Sequence, residues 1–198
     1  MQKRVVSPTV NRADRLPPGQ RWIPAPVVYD IVRERPKPDM GQYRFKIKGL
    51  AENPVELSYA ELKTQGRVEV LADFHCVTRW SVKELLWEGV QGKTLLELAR
   101  PMHAARSVLV HCLDFYTTNV PVEYLAGEDT LFAWGLNGKE LLPEHGYPLR
   151  LVIPGLYAWK SAKYVQALEF RESDAPGFWE ERGYHMRGDP WKEERYSL

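Results

Sequence analysis

Strand-like runs recur along this sequence without a regular alternation with helices, and that pattern decides the fold class. YRFKIKG (43–49) alternates apolar and charged residues, as a half-buried strand does. RVEVLADFHC (67–76) runs as a strand into Cys76, and SVLVHCLDF (107–115) reads as a buried strand. TLFAWGLNG (130–138) ends in an Asn-Gly hairpin signal, PLRLVIP (148–154) is another strand, and the end of SAKYVQALEFR (161–171) favours strand. The helices between them are short. Ser58 and Glu61 have capping-box spacing, and Gly66 closes that unit. TLLELAR (94–100) stops at Pro101, and PVEYLA (121–126) is a single short helix. This order predicts an α+β fold rather than a doubly wound parallel sheet.

The 198 residues fit one large domain. Residues 1–40 are rich in Pro and Arg with little periodicity, which predicts an extended arm wrapped over a single domain at 41–198. FWEERGYHMRGDPWKEERYSL (178–198) reads as a polar, aromatic tail. A hydrophobic share of 44% supports a sizeable core. The net charge of +1 gives no bulk attraction to nucleic acid or membranes, so neither is expected as a partner. Two cysteines make no disulfide framework, and no apolar run reaches the ~20 residues of a membrane span. The basic start lacks an apolar secretion segment and an arginine pair, so the expected location is cytoplasmic.

Common catalytic signatures are missing: no glycine-rich phosphate loop, HExxH, CxxC or G-x-S-x-G occurs. The five histidines do not have zinc-site spacing. Three segments remain. Cys76, in DFHCVTRWSV, lies where a strand ends and a loop with Arg79 and Trp80 begins. A thiolate is a soft metal ligand, and a nearby arginine would lower its pKa. The alternatives are a buried structural cysteine or a Cys/His nucleophile. His75 is poorly placed as its base, because neighbours in a strand face opposite ways.

EHGYPLRLVIPGLYAWKSAKY (144–164) gathers His145, Arg150, Lys160 and Lys163 within nineteen positions. In a chain this close to neutral, that is a local anion site or a solvated basic edge. Arg150 could hold a phosphate with two parallel bonds, joined by Lys163, Ser161 and loop amides. The third segment, HCLDFYTTNVP (111–121), opens a buried strand into Tyr116, Thr117, Thr118 and Asn119. It is either a polar cofactor contact or an ordinary turn.

CVTRWSVKELLWEGV (76–90), LDFYTTNVPVEYL (113–125) and NGKELLPEHGYPLRLVIPGLYAWKSAKYV (137–165) together resemble the sulfite oxidase family of molybdopterin enzymes, in its short, haem-free bacterial form. The H-G-aromatic-P-x-R core, the V-x-P-G step and the Lys-Ser-x-Lys turn carry most of the likeness, and the tail W…GY…GDPW also fits. The resemblance covers roughly residues 40–192. It implies a sulfite oxidase-type molybdopterin-binding domain of mixed sheets with short helices. It also implies a mononuclear molybdenum with a single pterin, bound by Cys76 as metal ligand and catalytic residue. His145 and Arg150 match positions that hold the pterin phosphate, and Ser161, Ala162 and Lys163 match the loop that closes over it. Cys112 and Tyr29 fall near further cofactor contacts. The sequence shows no haem domain, no C-terminal dimerisation domain and no twin-arginine signal. Arg79 and Arg106 are the candidates for substrate-binding arginines.

The resemblance implies an oxidoreductase that moves an oxygen atom to or from a small oxo-anion or S-oxide substrate. Electrons would pass singly to or from an external carrier protein, because no second redox centre is visible. A molybdenum cofactor carrier without turnover, and a metal-free cysteine hydrolase, are the rival readings.

Overall fold

The computed structural model describes residues 3–197 and folds as two β-sheets with short helices, the expected α+β class. In chain order the strands are β1 (Lys3–Val6), β2 (Arg21–Trp22), β3 (Arg44–Gly49), β4 (Val55–Ser58), β5 (Val68–His75) and β6 (Trp80–Gln91). They continue as β7 (Ser107–Cys112), β8 (Thr117–Pro121), β9 (Leu131–Leu136), β10 (Lys139–Glu140), β11 (Arg150–Val152) and β12 (Val165–Arg171). The helices are α1 (Tyr59–Thr64), α2 (Gly92–Ala99) and α3 (Val122–Leu125).

The first sheet runs β1-β5-β6-β9-β10, with β11 paired to β9 and β2 to β6. The second runs β4-β3-β12-β7-β8. The arm is therefore part of the fold: β1 lies parallel on β5, and β2 parallel on β6. The capping box forms as expected, with Ser58 Oγ accepting from the Glu61 amide and the Glu61 carboxylate accepting from the Ser58 amide. Asn137 and Gly138 both take positive φ in the tight turn from β9 to β10, the conformation such a hairpin demands.

Strand β9 is buried on both faces, and its alternation separates two cores. Phe132 and Trp134 face the second sheet with Phe45, Ile47, Val108, Val110 and Leu168. Leu131 and Ala133 face the other way, with Val70, Phe74, Trp87 and Val152. The same period of two puts Arg150 on the Val152 side of β11. Its guanidinium lies over the rings of Phe74 and Trp87, at 5.0 and 5.6 Å. Phe74 stands two residues before Cys76. A cation and a thiol far apart in sequence are thus brought to one face of one sheet.

Sequence patterning did not assign β6, the longest strand. Register shifts interrupt its pairing with both β5 and β9, and Glu84 has positive φ, so the alternation is broken. The run 107–115 is a strand only to Cys112. Phe115 takes positive φ, and the chain folds back into β8. No helix among the described residues is long and apolar enough to cross a membrane.

Candidate active site

Cys76 opens the turn from β5 to β6. Its amide donates to the Trp80 carbonyl (2.9 Å), and the Arg79 amide returns a bond to the Cys76 carbonyl (3.1 Å). Arg79 takes φ +73°, which closes a three-residue hairpin loop with a left-handed final residue. The Thr78 hydroxyl donates to the Cys76 sulfur at 3.2 Å. The Tyr29 hydroxyl lies 3.3 Å from Thr78 Oγ1, so with the threonine proton on sulfur the tyrosine donates.

Burial pushes the Cys76 thiol up. The Thr78 hydroxyl, the backbone amides of Thr78 and Val77, and the charge of Arg150 act in the opposite direction. The expectation that Arg79 lowers this pKa is corrected. Arg79 is exposed and does not line the cleft, and Arg150 is the cation that acts on the sulfur.

The sulfur lies on a cleft of about 350 Å³. Arg150, His145, Ser161, Ala162, Lys163 and Tyr29 line the same cleft. Arg150 is 9% exposed, donates to the His145 carbonyl at 3.0 Å, and keeps its buried Nε without a partner. Burial pulls its pKa down to about 10. Ser161 Oγ accepts from the Ile153 amide (3.0 Å), which leaves its proton free to donate. Among the described residues no acceptor pairs with the amides of Ala162 or Lys163. Burial, then the charge of Arg150, lowers the pKa of His145.

Lys163 Nζ bonds the Asp30 carboxylate and the Tyr29 carbonyl (2.6 Å), which ties the arm to the cleft edge. Burial raises the Asp30 carboxyl, but bonds from Lys163 and Arg35 outweigh it and hold it below the usual carboxylate value. Much of the remaining lining is aromatic, with Phe74, Trp80, Trp159, Trp179 and Tyr184, joined by aliphatic residues of the arm such as Val27 and Ile31.

Four sequence expectations fall elsewhere. Cys112 does not line the cleft. It occupies the same place in the β7–β8 turn as Cys76 in its own, with its amide on the Tyr116 carbonyl (3.0 Å), but its thiol is packed in the core and burial raises its pKa far above the ordinary value. Lys160 is not an anion ligand. It is fully buried and paired to Glu180 at 2.6 Å, with Asn119 accepting twice more. Thr118 and Asn119 join that buried network, and only Tyr116 of the hydroxyl-rich stretch reaches the cleft. Arg106 and Arg79 do not line the cleft either. Arg106 precedes β7, whereas Asp114 and Tyr116 of the cleft follow that six-residue strand, roughly 20 Å of chain further on.

Sequence reasoning missed Asp30, Thr78 and the tryptophan walls. Thr78, two residues after the cysteine, was the one with a local signal.

The donor set suits a molybdenum pterin. A cysteine sulfur on the cleft, with the Thr78 hydroxyl donating to it, can bind a soft metal. A buried guanidinium with a free Nε, a free serine proton and unpaired amides suit an oxyanion such as a phosphate.

A family model described as "Oxidoreductase molybdopterin binding domain" matches residues 33–179. The oxidoreductase YuiH of Bacillus subtilis is 39% identical over 190 residues, covering 94% of both chains. The protein-methionine-sulfoxide reductase catalytic subunit MsrP of Campylobacter jejuni is 31% identical over 170 residues, covering 75% of this chain and 57% of that protein. Among solved structures, the sulfane dehydrogenase SoxCD of Paracoccus pantotrophus superposes with a TM-score of 0.65 at 22% identity, over 71% of this chain and 41% of that one. That likeness carries the fold alone. The chain belongs to the molybdopterin-binding oxidoreductase family, with a sulfite oxidase-like fold.

Proposed function

We propose that this chain binds one mononuclear molybdenum with a single pterin through Cys76, and exchanges an oxygen atom between water and a small neutral thioether or its S-oxide. The observation that carries the reading is one shared cleft, lined both by Cys76 and by Arg150, Ser161 and Lys163. When bound, the cofactor supplies two-electron oxygen-atom chemistry.

The protein's own groups do the rest. Arg150, the Ser161 hydroxyl and the free amides of Ala162 and Lys163 would hold the pterin phosphate. Lys163 shares its charge with Asp30, which keeps the arm over that end. Thr78 and Tyr29 orient the sulfur. The aromatic walls exclude water and strengthen electrostatic effects inside.

The preference for a neutral substrate rests on the cations. Arg150, His145 and Lys163 are the basic side chains lining the cleft; the first two are assigned to the phosphate anchor, and the Lys163 ammonium is paired with Asp30. The same cleft carries Asp30, Asp114 and Glu144, which oppose an incoming anion. The name of the MsrP relative, a methionine sulfoxide reductase, points the same way.

Reducing an S-oxide to a thioether consumes two electrons and two protons and releases water. Cys76 is committed to the metal and Cys112 is buried, so the sequence holds no further thiols for a second cluster. An external one-electron carrier protein would therefore act twice per turnover.

The test is metal and pterin analysis of wild type and Cys76→Ala from a molybdenum-replete host, with dye-linked assays on S-oxides and on sulfite. The proposal expects molybdenum in wild type only, and turnover of S-oxides over sulfite. Sulfite turnover alone would refute the neutral substrate. A loaded protein inert to every substrate would point to a carrier.

A further inference from the structure

Two side chains outside the family-matched span grip the cysteine turn from behind. Gln20, in the arm, donates its Nε2 to the Cys76 carbonyl at 3.0 Å. Arg195, in the tail, donates Nη1 to the Val77 carbonyl and Nη2 to the Pro18 carbonyl (3.3 Å). Arg195 is 6% exposed and lies over the Tyr157 ring at 5.0 Å, so its charge is largely desolvated. Arm, tail and turn thus meet at one guanidinium.

The two carbonyls belong to peptide units 76–77 and 77–78. The N–H groups of those same units are the Val77 and Thr78 amides, which favour the ionised Cys76 sulfur. A donor on the C=O end of a peptide unit polarises it and strengthens what its N–H donates. Both units belong to the turn whose Thr78 hydroxyl donates to the sulfur at 3.2 Å, and each has a donor on its carbonyl: a neutral amide for one, a buried cation for the other. Hydrogen bonds to a ligating sulfur withdraw electron density from it, and such outer contacts tune the metal they surround.

We propose that Gln20 and Arg195 are positioning residues that raise the reduction potential of the molybdenum bound at Cys76, by holding and polarising the two peptide units of the turn whose Thr78 hydroxyl donates to its sulfur. The inference rests on Cys76 being the metal ligand.

The experiment uses the molybdenum-loaded full chain and its Arg195→Met, Arg195→Lys and Gln20→Leu variants. Molybdenum content, melting temperature and the potential from an EPR-monitored redox titration are read for each. The expected result is a lower potential in Arg195→Met and Gln20→Leu at a metal content comparable to wild type, with Arg195→Lys recovering part of the difference. Gln20→Leu removes its bond to the Cys76 carbonyl and the longer one from Ser81 Oγ (3.4 Å) and leaves Arg195 in place, so it decides the matter if Arg195→Met does not fold. Unchanged potentials in the loaded variants, or a loss confined to melting temperature and metal content, would overturn the proposal. Absence of molybdenum from wild type would instead refute the metal-ligand reading beneath it.

Discussion

Replacing Arg150 by methionine should leave the cofactor-free protein at least as stable as wild type, while removing its grip on the cofactor. The guanidinium is buried, makes one hydrogen bond among the described residues, to the His145 carbonyl, and keeps Nε unpaired. Its drop from the ordinary 12.5 to about 10 corresponds to roughly 3 kcal/mol of unfavourable burial, at about 1.4 kcal/mol per tenfold change in proton affinity. Methionine forfeits the bond to His145, worth about 1.5–3 kcal/mol for a charged donor. It keeps apolar contact with Phe74 and Trp87, where a thioether sits well. The net change is therefore about 0–2 kcal/mol in favour of the variant, or about 2–4 °C per kcal/mol in a chain of this size. Thermal and urea melts of the two cofactor-free proteins measure it, and pterin released on denaturation measures retention. A variant destabilised by more than about 2 kcal/mol, or one that retains pterin like wild type, would refute the idea that this cation is held in readiness for an anion.

Three further outcomes are expected. Burial lowers His75 to about 4, so between pH ~6.5 and ~4 the unfolded chain binds more protons, and stability falls as pH drops through that window. The loss is about 3 kcal/mol in all. Urea melts at several pH values should show a shallower decline in His75→Gln, and identical slopes would contradict the assignment. Gly146→Ala would place a Cβ 3.0 Å from the Lys163 side chain at a φ of +107°. It should cost about 1–3 kcal/mol and reduce pterin retention, whereas wild-type retention would show that Lys163 is not an anchor. Glu180→Gln breaks the buried pair with Lys160 and should cost about 3–5 kcal/mol, read by denaturant melts; a loss under about 1 kcal/mol would mean the lysine is buried neutral.

The parts of this molecule legible in the sequence are those whose cause is local. The capping box at Ser58, the Asn137-Gly138 hairpin and the alternation of β3 each depend on neighbours in the chain, and each formed. In the 144–164 stretch, clustered basic residues offered an anion site or a solvated edge, and His145, Arg150, Ser161 and Lys163 do reach one cleft. Lys160 in the same stretch did not, because its partner Glu180 lies twenty residues on and takes it into the core. Strand β6 escaped because bulges break its period. Cys76 and Cys112 occupy equivalent turns, and only tertiary packing decides that one thiol faces the cleft and the other the core. Gln20 and Arg195 were invisible for a different reason: each binds a backbone carbonyl, and a carbonyl has no residue type to read.

X-ray absorption at the molybdenum edge probes the bond from Cys76 to the metal most directly. Protein loaded with cofactor should show one more sulfur around molybdenum in wild type than in any Cys76→Ala protein that still binds the pterin. Identical sulfur shells in the two, or a wild-type spectrum with no protein sulfur, would show that Cys76 is not the ligand.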